Sequence, residues 1–172
     1  KLEENADVLI DFSLPVSADR TIEFCAKSKT ALIMATTGLS DPQMANLQHT
    51  AESVPVVQAT NMSLGMNLLF SLVGKVAKSL GDGYDIEIVE AHHRFKKDSP
   101  SGSALSLAEA VCEETGRNYP NDLVHGREGK EALREKGTIG MHAIRGGDIV
   151  GQHSVIYSTV GETITISHTA HN

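Results

Sequence analysis

Glu90 to Ala104 reads Glu-Ala-His-His-Arg-Phe-Lys-Lys-Asp-Ser-Pro-Ser-Gly-Ser-Ala. Acid/base groups, fixed cations and the start of a helix fall within this one stretch. It follows an alternating run, Tyr84 to His92, that predicts a strand with Ile86 and Ile88 on one face and Asp85 and Glu87 on the other. His92 then shares a face with Ile88 and Glu90, and His93 points the opposite way. Two adjacent histidines on opposite faces have different tasks: one to exchange a proton, the other to contact a ligand. Histidine suits the first because it titrates near neutrality. Arg94 adds a planar donor fork, and Lys96 and Lys97 add compact charges that the residue chemistry does not rank. Ser101-Gly102-Ser103 brings a glycine, for close backbone approach, to the positive end of a helix, which favours a carboxylate or phosphate. Each part also has an ordinary use, as a cap, a turn or a solvated face. Together they describe a small anion held beside a proton donor.

The preceding chain must position that stretch. Asp7–Phe12, Ala31–Ala35 and Val54–Ala59 are short apolar runs that predict buried strands. Between them, Ala18, Ile22, Cys25 and Ala26 recur at helical spacing, and Asp41 with Pro42 opens a second helix running to about Ser53. Strands alternating with such helices predict a parallel sheet. Ala35-Thr36-Thr37-Gly38 and Ala59-Thr60-Asn61-Met62 follow strands, where loops line the ligand crevice of a parallel sheet. No G-x-G-x-x-G occurs. Either the lobe does not hold a dinucleotide or its first βα unit precedes Lys1. The chain starts without Met and both ends read as cut, as in a segment of a longer protein.

Thr60–Ser63 reads as a polar hinge and the domain boundary is placed at residue 61, giving lobes 1–61 and 62–172. A long helix follows with Leu69, Leu72, Val73, Val76 and Leu80 on one face, ended by Gly81 and Gly83. A helix from Gly102 turns Ala104, Leu107, Ala108, Val111 and Cys112 inward and stops at Gly116. Residues 117–137 are polar and read as a long loop with room for a short helix over Lys130–Lys136. Thr138–Arg145, Ile149–Val160 and Thr163–His168, joined by glycine turns, predict an antiparallel meander. The fold class is thus α/β followed by α+β.

Composition narrows the function. A net charge of −7, no Trp and 4% aromatic residues argue against a nucleic-acid or acidic-membrane binder. Cys25 and Cys112 lie on apolar helix faces and read as reduced core thiols. No membrane span or signal peptide is visible, and a cytoplasmic location fits. Eight histidines, with Glu90 beside His92, raise the alternative of a metal hydrolase, but no metal-ligand spacing such as H-E-x-x-H occurs and no metal is expected.

The Glu90–Ala104 segment resembles the signature of the dihydrodipicolinate reductase family, also called 4-hydroxy-tetrahydrodipicolinate reductase. Asp11-Phe12-Ser13, Ala35–Gly38, Ala59–Asn67, Arg145–His153 and Gly161–His168 resemble further family segments. The resemblance implies a partial Rossmann lobe for NADH or NADPH, an interdomain hinge, and an α+β lobe that holds substrate and forms a homotetramer through its sheet. It implies His92 as proton donor and acceptor and Lys96 as proton donor. His93, Ser101, Gly102 and Ser103 would bind the carboxylates of a small dicarboxylate substrate. Phe12, Ala35, Thr36, Thr37, Ala59, Thr60, Asn61 and Met62 would contact the cofactor. Ser103 stands where the family commonly has threonine and Met62 where it often has phenylalanine. Because the phosphate loop is missing, the alternative is a non-catalytic fragment that binds a dicarboxylate or only assembles.

Overall fold

The computed structural model describes residues 6–171, which divide into two compact units, one ending at Met62 and one starting at Ser63. In the first unit, β1 (Val8–Asp11), β2 (Ala31–Met34) and β3 (Val56–Gln58) form a parallel sheet in that order. Helix α1 (Pro15–Ser28) starts with proline, whose fixed φ suits a first turn, and closes on Lys29 in the left-handed region (φ 57°). Helix α2 (Asp41–Ala51) is capped by Ser40 rather than by the expected Asp41. The Ser40 hydroxyl accepts from the Gln43 N–H, and the Gln43 side chain accepts from the Ser40 N–H, a reciprocal capping box. Asp41 is left in the first turn, where its charge suits the helix dipole. Ala18, Ile22, Cys25, Leu32, Met34 and Leu47 form the core of this unit.

The second unit has a five-stranded mixed sheet with β4 (Asp85–His92) at its centre. The other strands are β5 (Leu123–His125), β6 (Ile139–Arg145), β7 (Gly151–Thr159) and β8 (Glu162–Ala170), in the order β5-β6-β4-β7-β8. Helices α3 (Leu64–Leu80) and α4 (Gly102–Thr115) bury their apolar stripes against Ile86, Ile88, Val155 and Tyr157. The two helices meet closely at Gly74, where a Cβ would lie 2.2 Å from the Ala110 carbonyl oxygen. Cys25 and Cys112 are both buried free thiols. Among the described residues, no helix is long and apolar enough to cross a membrane.

Three further expectations are corrected. The meander holds only for the β7–β8 hairpin; β6 pairs parallel to β4 and β5, and β4 separates it from β7. The turn after β6 therefore carries the chain across β4 instead of folding it back. Residues 117–137 contain strand β5 and no helix over 130–136; Arg127 and Arg134 tie this segment to Glu87 on β4. On α3, Leu72 is exposed, and the inward stripe is Met66, Leu69, Val73 and Ala77, spaced three or four residues apart.

Candidate active site

The end of β4 and the start of α4 are joined through one carboxylate. Glu90 points inward on the same strand face as Ile88, as alternation requires, and is only 1% exposed. Its Oε1 accepts from the Ser101 backbone N–H (3.0 Å) and from Arg145 Nη2 (2.7 Å). Its Oε2 accepts from Arg145 Nη1 (2.8 Å) and from His92 Nδ1 (2.6 Å). Burial works to raise the Glu90 pKa, but the bonds from Arg145, His92 and Ser101 outweigh it and hold the carboxyl below its usual range. An ionised carboxylate only accepts, so His92 carries its proton on Nδ1, and Nε2 is the atom that can give or take another. The His92 side chain is 12% exposed. Its ring meets that of His153 edge-on, with centroids 5.1 Å apart.

The basic loop is anchored to the turn after β6. Arg94 N–H donates to the Gly147 carbonyl (3.2 Å), and Gly146 N–H donates to that of His92 (3.0 Å). Lys96 Nζ pairs with Asp98 Oδ1 at 2.9 Å. Burial again opposes the Asp98 charge, but Lys96 and backbone N–H groups that include Gly102 hold its pKa low. Asp98 thus places a carboxylate of the protein itself at the N-terminus of α4. Ser101 is that helix's N-cap, its hydroxyl accepting from Ala104 N–H (3.2 Å).

Of the residues singled out from sequence, His92 and Ser101 converge on Glu90, and Lys96 reaches the same helix start through Asp98. The His93 carbonyl accepts from the Lys96 N–H (3.1 Å) and its ring is tilted against that of Phe95, centroids 6.4 Å apart. Gly102 and Ser103 form the first turn of α4, with Ser103 buried. Glu90, Arg145 and His153 were not singled out as site residues. Glu90 had a readable signal, its place two residues before His92 on one strand face. Among the described residues, no group of three or more His, Cys, Asp or Glu side chains is arranged to hold a metal ion. A polar cleft of about 310 Å³ lined by Tyr84, Asp85 and Arg134 lies at the opposite end of β4 from His92.

In the first unit, Phe12 follows β1, Ala35, Thr36 and Thr37 follow β2, and Ala59 to Met62 follow β3. All therefore lie at the carboxyl ends of parallel strands. The Thr36 hydroxyl is turned inward and donates to Asp11 Oδ1 (3.0 Å). Burial favours the neutral form of Asp11, but bonds from Ser13, Thr21 and Thr36 hold its pKa low. Asp11 Oδ2 is buried without a partner among the described residues. Phe12 is 71% exposed and, with Asp11, Ser13 and Arg20, lines a cleft of about 510 Å³. No glycine-rich phosphate cradle is present in the sequence.

A family model described as "Dihydrodipicolinate reductase, C-terminus" matches residues 65–172, and one described as "Dihydrodipicolinate reductase, N-terminus" matches residues 1–62. The chain belongs to the dihydrodipicolinate reductase family. It is 50% identical over 167 residues to a 4-hydroxy-tetrahydrodipicolinate reductase of Hahella chejuensis, covering 97% of this chain and 62% of the relative. The corresponding protein of Psychrobacter arcticus is 48% identical over 164 residues, covering 95% and 59%. The chain thus spans about three fifths of the length of these dihydrodipicolinate reductases. A solved structure titled as a dipicolinate-bound dihydrodipicolinate reductase from Paenisporosarcina sp. TG-14 shares the fold. Its TM-score is 0.69 at 23% identity, covering 96% of this chain and 63% of that one.

Proposed function

We propose that this chain carries the substrate site of a reductase that converts 4-hydroxy-tetrahydrodipicolinate to tetrahydrodipicolinate, with loss of water, using NADH or NADPH. The observation that carries this reading is Glu90, one buried carboxylate that orients both His92 and the Ser101 turn. The names of the similar proteins supply the substrate class.

The substrate's two carboxylates are held by His93 and the Ser101-Gly102-Ser103 turn, with Lys96 as the neighbouring cation. Loss of the ring hydroxyl as water moves two protons: His92 Nε2 takes the one on the adjacent ring carbon, and Lys96, as a cationic acid, gives one to the leaving oxygen. Reduced nicotinamide, when bound, would supply the hydride that adds to ring carbon four of the resulting conjugated imine. The charge that this places on the ring is stabilised by the fixed cations and quenched by a proton carried on His92 Nε2. Phe12, Ala35, Thr37 and Ala59 to Met62 are the residues that would hold the ring end of the cofactor, while Thr36 acts by bracing Asp11. The protein assembles as a homotetramer through the sheet of the second unit. This is supported by the helix-free face that displays Gln152, Ser154, Thr165 and Thr169; sedimentation of a monomer at micromolar concentration would remove that part of the reading.

In the full-length protein that contains this chain, His92→Ala should lower turnover by about a hundredfold or more, with dicarboxylate affinity nearly kept. Oxidation of NADH or NADPH followed by absorbance measures it, and unchanged turnover overturns the proton role. For the chain alone, titration calorimetry with pyridine-2,6-dicarboxylate separates two outcomes. Binding shows that the second unit holds the dicarboxylate by itself; no binding removes the proposed carboxylate site.

A further inference from the structure

Both helices of the second unit begin at a serine that caps them, and both serines are bonded to a histidine of the β7–β8 hairpin. Ser63 accepts from Met66 N–H and lies 3.3 Å from His168 Nε2. Ser101 accepts from Ala104 N–H and lies 3.0 Å from His153 Nε2. His153 and His168 are directly opposite each other in the antiparallel ladder, and Glu90 is opposite His153 on its other side. The helix backbone approaches the second ring closely, since a Cβ at Gly65 would lie 2.9 Å from His168 Cδ2.

We propose that His153 is a positioning residue for the dicarboxylate-binding turn, fixing the Ser101 hydroxyl while Glu90 fixes the Ser101 backbone. This rests on the dicarboxylate reading above. His153 is 4% exposed and is faced by Glu90 and His92 from β4, His168 from β8 and Lys96 from the basic loop. Burial, reinforced by His92, pushes its pKa down to about 4, so the ring is neutral at neutral pH. A neutral ring makes one defined bond to Ser101 in either tautomer: the hydroxyl donates into Nε2, or Nε2–H donates to Oγ. Its Nδ1 is buried without a partner among the described residues. Such a nitrogen is a cost that an apolar side chain of similar size would avoid. What the imidazole alone provides is the bond to Ser101. The hydroxyl is then held from two directions, by Ala104 N–H and by His153, and the N-terminal turn of α4 keeps one conformation for an incoming carboxylate.

The test compares His153→Leu and His153→Gln in this chain; the Gln amide can reach the place of Nε2. Leu should speed hydrogen exchange at the Ala104 amide about fivefold relative to Val111 on the same helix. It should also weaken pyridine-2,6-dicarboxylate binding about tenfold, measured by calorimetry. Gln should restore both to within about twofold of the parent. Unchanged Ala104 exchange in the Leu variant, or a Gln variant no better than Leu, overturns the proposal. A Leu variant that does not fold is replaced by Ser101→Ala. There the nitrogen NMR resonance of His153 Nε2 must shift, and an unshifted resonance is equally fatal. If the parent chain binds no dicarboxylate, the functional reading fails, while exchange and NMR still decide the link between His153 and Ser101.

Discussion

Glu90→Gln replaces one oxygen by an amide nitrogen in a side chain that is 1% exposed. Each Glu90 oxygen receives two hydrogen bonds: Oε1 from Ser101 and Arg145, Oε2 from His92 and Arg145. Whichever way the glutamine amide is turned, its NH₂ faces two donors, and the Arg145 charge loses its counter-charge. Breaking a buried ion pair from one side costs about 3–5 kcal/mol. Because the Arg145 side chain is 21% exposed, water recovers part of that cost, and a loss of about 3 kcal/mol is expected. Urea unfolding followed by tyrosine fluorescence reads it selectively, since there is no Trp and Tyr84, Tyr119 and Tyr157 all lie in the second unit. The pH dependence supplies a second check. The folded-state pKa of Glu90 lies below its ordinary 4.5. Its contribution is therefore complete above that value and disappears as pH falls through the folded pKa. Gln does not titrate, so the stability gap between parent and variant should be widest at neutral pH and close in acid. A gap below about 1 kcal/mol at neutral pH, or one that stays constant down to about pH 3, would refute the assignment of Glu90 as a charged anchor.

Gly74→Ala should destabilise the second unit by about 1–3 kcal/mol despite alanine's better helix propensity, because its Cβ meets the Ala110 carbonyl of α4. The same tyrosine-monitored unfolding measures it, and a stabilised variant would show that α3 and α4 do not meet there. Asp98→Asn removes the carboxylate shared by Lys96 and the start of α4. Pyridine-2,6-dicarboxylate should then bind about fivefold more tightly, by calorimetry, because an internal competitor for the same cations is gone; weaker binding would mean that Asp98 holds Lys96 in place for the ligand.

Apolar runs and helical spacing were enough to find β1 to β4 and the four helices, but the apolar runs of β1 and β3 are not buried strands, since Val8, Ile10 and Val57 are exposed. The three-residue β5 was not legible. Leu123–His125 sits in a polar stretch and is a strand only because β6 lies beside it in parallel. The glycine turn at 146–147 suggested a hairpin, whereas the parallel ladder from Ile86–Ile139 to His92–Arg145 and the long-range bonds from Arg145 to Glu90 and from Gly146 to His92 place β6 beside β4. The site divides in the same way. His92, Lys96 and the Ser101 turn are contiguous and could be read from one segment. Arg145 and His153 come from strands 55 and 52 residues beyond Glu90 and Ser101, respectively, so no local spacing announces them. His153 shares the inward face of β7 with Val155 and Tyr157, which marks a core position but not its polar partner.

The placement of β4 also bears on how the chain is made. It is the central strand of its sheet, yet it is the first of the five to be synthesised. Glu90 emerges 55 residues before the arginine that neutralises it. Until then β4 carries an inward carboxylate without its main counter-charge. A nascent chain therefore has no stable resting point between α4 and the end of β6. The second unit can complete its core only once Ile139–Arg145 and Gly151–Thr159 have left the ribosome.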